Sequence, residues 1–168
     1  VFAGVGKSAS EIAAALKAGV KCINVESIAE LHQINRVATE MNCRAPISLR
    51  VNPDVDAQTH PYISTGLKGN KFGIAYHEVL KTYREATQLS QIDVVGIDCH
   101  IGSQITTTAP YLDALDKVLD LVEQLKKEGI VIHHLDLGGG LGISYSDETP
   151  PDITEFTNTL LNRVAERG

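Results

Sequence analysis

Short apolar runs alternate with amphipathic helical stretches along the whole of this chain, and that alternation narrows the possible folds more than any other feature. Runs at Cys22–Ser27, Ile47–Pro53, Val94–Ser103 and Ile132–Gly138 read as strands, with Val1–Ala3 as the tail of an earlier one. Ser8-Ala9-Ser10-Glu11 and Ser27-Ile28-Ala29-Glu30 are capping-box patterns. The second opens a helix with Leu31, Ile34, Val37 and Met41 on one face. A third helix is predicted from Tyr76 to Leu89. A fourth carries Leu112, Leu115, Leu119, Val122 and Leu125 before Gly129, and a fifth, starting near Asp152, repeats Ile153, Phe156, Leu160 and Val164. Five strands each followed by a helix imply parallel strands joined by crossover helices.

Two architectures satisfy that order, a doubly wound sheet and a (β/α)8 barrel, and the strand faces separate them. Ile23 and Val25 oppose Asn24 and Glu26. Ile47, Leu49 and Val51 oppose Ser48, Arg50 and Asn52. Val95, Ile97 and Cys99 oppose Gly96, Asp98 and His100, and His133, Leu135 and Leu137 oppose His134 and Asp136. Strands covered by helices on both faces are apolar throughout. A two-faced strand suits a barrel, with its apolar side toward the outer helices and its polar side inward. The expected fold class is therefore α/β, a partial (β/α)8 (TIM) barrel of about five βα units occupying residues 1–168 as one domain. Its interior would hold Glu26, Arg50, Asp98, His100, His134 and Asp136. Burying so many ionisable groups requires pairing or a bound charged ligand. A structural ion-pair network is the alternative to a deep site for such a ligand.

Composition excludes several classes. A formal net charge of -6 gives no electrostatic support for nucleic-acid binding, and no apolar run of membrane-spanning length occurs. Cys22, Cys43 and Cys99 are odd in number and widely spaced. They read as free thiols of a reducing, cytoplasmic compartment rather than a disulfide or zinc framework. Val1-Phe2-Ala3-Gly4 reads as the end of a strand and Gly168 as a helix C-cap, so both ends are expected to be cuts in a longer protein.

The unusual residues fall where barrel strands end, which is where barrels carry function. Gly138-Gly139-Gly140 directly after a strand exposes successive backbone N–H groups that suit a phosphate. A dinucleotide fingerprint would open a helix at once, whereas here a polar loop over residues 144–151 intervenes. Gly4-Val5-Gly6-Lys7-Ser8 lacks the first glycine of a P-loop, leaving Lys7 as a solvated or polar loop residue ahead of the Ser8 cap. His100, three residues before Ser103, admits several roles: metal ligand, general base, a flat ring against a cofactor, or a structural histidine. No further ligands at metal-site spacing accompany it, and no nucleophile elbow accompanies the serine.

Taken together, Leu49-Arg50-Val51-Asn52-Pro53-Asp54, Thr59-His60-Pro61-Tyr62-Ile63-Ser64-Thr65-Gly66, Asn70-Lys71-Phe72-Gly73-Ile74, Gly96-Ile97-Asp98-Cys99-His100-Ile101-Gly102-Ser103-Gln104 and Leu135-Asp136-Leu137-Gly138-Gly139-Gly140-Leu141-Gly142 resemble, in collinear order, the diaminopimelate decarboxylase family of pyridoxal 5'-phosphate (PLP) enzymes. The His-Ile-Gly-Ser and Gly-Gly-Gly pieces are shared with the ornithine, arginine and carboxynorspermidine decarboxylases. The resemblance implies a PLP barrel of the alanine-racemase type, completed by a β-rich domain absent from this chain, in a homodimer. It implies that His100 stacks on the pyridine ring and that Ser103, Gly139 and Gly140 hold the phosphate, with Arg50 ordering the interior near the cofactor. The implied reaction is decarboxylation of meso-diaminopimelate to L-lysine, PLP acting as electron sink. No catalytic residue is assigned within the chain, because the family's Schiff-base lysine lies upstream of Val1; Lys7 aligns with a different element. Alternatives are an ornithine- or arginine-type decarboxylase, or a non-catalytic PLP-barrel protein with a binding or regulatory role.

Overall fold

The computed structural model describes residues 1–55, 72–145, 147 and 149–167. The elements run α1 (Ala9–Lys17), β1 (Ile23–Val25), α2 (Ile28–Glu40), β2 (Ala45–Asn52), β3 (Ile74–Ala75), α3 (Val79–Gln88, entered through a 3-10 turn over Tyr76–Glu78), β4 (Ile92–Cys99), α4 (Ala109–Lys127), β5 (His134–Asp136) and α5 (Ile153–Arg167). Every strand pairing is parallel, in the order β1-β2-β4-β5, with β3 beside the end of β2. Phe2 adds a further parallel bridge to Ile23, the expected tail of an earlier strand.

Helices α1 to α4 pack on one side of this sheet. Their apolar residues, Ile12, Leu31, Ile34, Tyr83, Val118 and Leu125 among them, form one cluster with Ile23, Val25, Ile47, Leu49, Val51 and Ile97. The other side of the strands is polar. That asymmetry is the barrel solution rather than the doubly wound one, and the sheet is an incomplete barrel. A second, smaller cluster of Val55, Ile101, Ile105, Tyr111 and Ala114 lies under the loops that follow β4 and β5.

Several local expectations shift. The strands are shorter than their apolar runs: β4 stops at Cys99, and His100–Ser103 belongs to the following loop. Val95 does not share the apolar face. Ile47 pairs with Val94 and Ser48 with Gly96, so Val95 is the extra residue of a β-bulge, and Val94 packs on the core instead. The bulge restores the alternation beyond it, which puts Asp98 opposite Arg50. Met41 is the C-cap of α2 and 38% exposed, because the helix ends before its face turns inward again. Short β3 carries too little pattern to be expected. The Thr59–Gly66 stretch, Asn70, Lys71 and the Gly168 cap lie outside the described residues.

Beyond β5, α5 meets α4 through ion pairs, Arg163 to Asp116 at 2.5 Å and Arg167 to Asp120 and Glu123 at 2.7 and 2.6 Å, and through Phe156 against Tyr111. An apolar groove of about 650 Å³ runs between β5, α4 and α5, lined by Leu135, Leu137, Phe156, Leu160 and Val164.

Candidate active site

The polar face of the sheet is stacked in layers. In the deeper one, Asn24, Ser48, Gly96 and His134 occupy neighbouring register positions on four strands. His134 Nε2 lies 3.1 Å from Ser48 Oγ and 3.2 Å from Cys22 Sγ. Its ring lies over Gly96, where an added Cβ would come within 2.5 Å of His134 Nε2 and 2.7 Å of Ser48 Oγ. The glycine is therefore the space the histidine occupies. Burial lowers the pKa of His134, with the Lys21 charge acting in the same sense.

One layer up, toward the strand ends, Arg50 Nη1 reaches both Glu26 oxygens at 3.0 and 2.9 Å. Asn24 Nδ2 donates to Asp136 Oδ2 at 3.2 Å. Asp98, 5% exposed, faces Asp136 and Arg50 across the same layer. Its pKa is pushed up to about 7, first by burial and then by the Asp136 charge, with Arg50 and the Asn24 hydrogen bond opposing. Among the described residues this layer thus pairs Arg50 with Glu26 and sets beside them a carboxyl, Asp98, that binds its proton more tightly than an ordinary aspartate.

The loops above this layer are locked together. Asp136 Oδ1 accepts from Gly138 N at 2.9 Å, turning the chain at the end of β5. Ile105 N donates to Gly140 O and Gly142 N to Ile105 O, both at 2.9 Å, a short parallel bridge between the His100–Ile105 and Gly138–Gly142 segments. Gln104 adds two contacts to the Ile143 backbone, accepting from its N–H at 3.1 Å and donating to its carbonyl. At Gly138 a Cβ would stand 2.7 Å from His100 Nδ1, and at Gly140 (φ +94°) it would overlap Gly102 O at 1.9 Å. At Gly139 it would meet nothing within 4 Å. Among the described residues, no hydrogen bond leaves the N–H of Gly139 or Gly140. His100, Ser103, Gly139 and Gly140 are therefore assembled into one rim, with half-buried His100 beside the turn and Ser103 exposed. Arg50 lies below it, and burial first, then the Arg50 charge, lowers the pKa of His100.

Two residues escape the sequence reading. Lys7, expected as a solvated or polar loop residue, is 7% exposed. Its Nζ donates to Gly4 O at 2.6 Å and to Glu30 Oε1 at 2.8 Å. Positive φ at Gly4 (117°) and Gly6 (73°) folds the loop back and turns the lysine inward. Glu30 also accepts from Glu26 N at 3.1 Å, so its carboxylate serves Lys7 and the end of β1 rather than closing the capping box that Ser27 half makes. At Ser8 and Glu11 the box is complete. The other residue is Tyr111, whose hydroxyl donates to Gly139 O at 3.1 Å. In sequence it is one more apolar position at the start of a helix.

Known proteins resemble this chain along nearly its whole length. The family described as pyridoxal-dependent decarboxylase, pyridoxal binding domain, matches residues 1–167. The diaminopimelate decarboxylase of Haemophilus influenzae is 57% identical over 164 residues, 98% of this chain and 40% of that protein. That of Vibrio cholerae is likewise 57% identical, over 98% of this chain and 39% of its own length. The crystal structure of the Helicobacter pylori diaminopimelate decarboxylase complexed with L-lysine superposes with a TM-score of 0.92 at 41% identity, covering 98% of this chain and 42% of that one. The chain spans about two fifths of the length of these relatives.

Proposed function

This chain belongs to the pyridoxal-dependent decarboxylases, and from that premise we propose that it is the cofactor-binding part of an enzyme that converts meso-diaminopimelate to L-lysine and carbon dioxide. The carrying observation is the interlocked rim of two loops, with an open side at Gly139 and two backbone N–H groups that meet no acceptor among the described residues. Such a rim fits a phosphate, and half-buried His100 beside Gly138 fits a flat ring next to it. In this reading Gly139, Gly140 and Ser103 hold the phosphate of PLP, and His100 lies on its ring. Arg50, tethered by Glu26, sets the charge below.

When bound, PLP supplies an electron sink for the carbanion left by loss of carbon dioxide. The chain's own residues orient the cofactor and set the charge around it. Neutral His100 presents a ring face without a competing positive charge, consistent with its lowered pKa. The lysine that joins the cofactor covalently, the β-rich second domain and the dimer partner belong to the longer protein in this proposal. A cytoplasmic location accords with three free cysteines.

The test uses the full-length protein. Carbon dioxide release is measured from meso-diaminopimelate, ornithine, arginine and lysine, with borohydride reduction to fix any covalently joined cofactor. Release from meso-diaminopimelate above all others supports the proposal. Preference for ornithine or arginine overturns the substrate. Cofactor binding without covalent fixation or turnover makes the protein a non-catalytic binder.

A further inference from the structure

The peptide between Gly139 and Gly140 is fixed by neither of the two hydrogen bonds that join the turn to Asp136 and Ile105. Asp136 holds Gly138 N, and Ile105 holds Gly140 O. Neither touches the Gly139 carbonyl or the Gly140 N–H, which are opposite edges of one planar trans unit. Two glycines flank that unit, so its rotation meets little steric resistance from its own residues. A flipped unit would present a carbonyl oxygen, not an N–H, to an anion.

On the reading that this turn holds a phosphate, we infer that Tyr111 is a positioning residue: its hydroxyl holds the Gly139 carbonyl back, so that the Gly140 N–H of the same peptide faces the phosphate. The hydroxyl donates to Gly139 O at 3.1 Å, and the residue is 2% exposed. Its ring stands edge-on to Phe156 of α5, centroids 4.9 Å apart at 79°, and packs with Ile101, Ile105 and Ala114 in the smaller core. Packing, not the hydrogen bond, therefore places the hydroxyl, and a buried tyrosine O–H needs an acceptor. Burial also pushes its pKa up to about 12, which keeps it a neutral donor. Pro110 and Tyr111 lie in the first turn of α4, so the anchor is attached to a 19-residue helix rather than to a loop.

The test compares PLP with pyridoxal, which has the same ring and no phosphate, by titrating each into the cofactor-free full-length protein. Tyr111→Phe keeps the ring and its contact with Phe156. It is expected to weaken PLP binding about 5-fold while moving pyridoxal binding by less than about 2-fold, the effect of one lost backbone hydrogen bond. Phe156→Leu loosens the ring and is expected to lower the preference for PLP partly, with no further loss in the Tyr111→Phe background. A wild-type protein that binds both ligands equally overturns the phosphate reading and this role with it. A wild-type preference that survives unchanged in both variants overturns the role of Tyr111 alone. Equal weakening of both ligands overturns it as well, making Tyr111 a packing residue.

Discussion

Lys7 Nζ meets Glu30 Oε1 at 2.8 Å, with the two side chains 2% and 8% exposed. The same Glu30 oxygen accepts from Glu26 N, and the Glu26 carboxylate holds Arg50. A glycine loop before α1 is thereby tied to the wall of the candidate site through three elements. Lys7→Met leaves Glu30 buried without its cation and is expected to destabilise the full-length protein by about 3 kcal/mol. Lys7→Met/Glu30→Leu should recover part of that loss. Urea unfolding of the three proteins measures both, and a single variant as stable as wild type would show the pair to be dispensable.

Gly139→Ala and Gly140→Ala should differ in kind. An alanine Cβ at 139 meets no atom of the described residues within 4 Å, so the fold should tolerate it while the methyl fills the open side of the rim. PLP affinity should fall roughly tenfold with an unchanged melting temperature. At 140, positive φ and the overlap with Gly102 O force the two loops apart, so stability and affinity should fall together. Paired melting curves and cofactor titrations distinguish the two patterns.

Gly96→Ala places a methyl where the His134 ring lies and should cost about 2 kcal/mol through overpacking. Because the nearest contact is that ring, with Ser48 Oγ next at 2.7 Å, His134→Ala should restore part of the loss in the double variant. Additive losses in the two single variants would locate the strain elsewhere.

Asp98 predicts a dependence on pH. Its folded pKa of about 7 exceeds the unfolded value near 3.8, so its contribution to stability is fully present at acid pH. Between about pH 4 and pH 7 the unfolded chain has released this proton while the folded one keeps it. Stability attributable to Asp98 therefore declines as pH rises through that window and levels off above it. Asp98→Asn cannot ionise and should gain stability relative to wild type on going from pH 5 to pH 8. Denaturant titrations at both pH values decide it; a constant difference between the two proteins would show that Asp98 is ionised throughout.

Much of the site is legible in the sequence. The two faces of β1, β2 and β5 follow from period-two alternation, and the glycine run marks its turn by composition alone. His100, Ser103, Gly139 and Gly140 do come together, because the ends of neighbouring parallel strands must adjoin. Val95 breaks the reading of β4, since a bulge is a property of pairing with β2 and leaves no mark in one strand's own pattern. Lys7 also misleads: glycines beside a lysine look like an exposed loop until positive φ turns the side chain inward.

The sequence by itself thus determined the alternation of the main strands and helices, the side of β1, β2 and β5 that meets the helices, and the place of the glycine turn after β5. These are local or periodic properties, written within a few residues. Tertiary structure alone decided which charges pair, from Arg50 with Glu26 to Lys7 with Glu30, 23 positions apart. It also decided that burial and the Asp136 charge raise the pKa of Asp98 and that Tyr111 reaches Gly139 across 28 positions. The reason is that hydrogen bonds and charge interactions depend on distance and burial between elements, and only packing sets those.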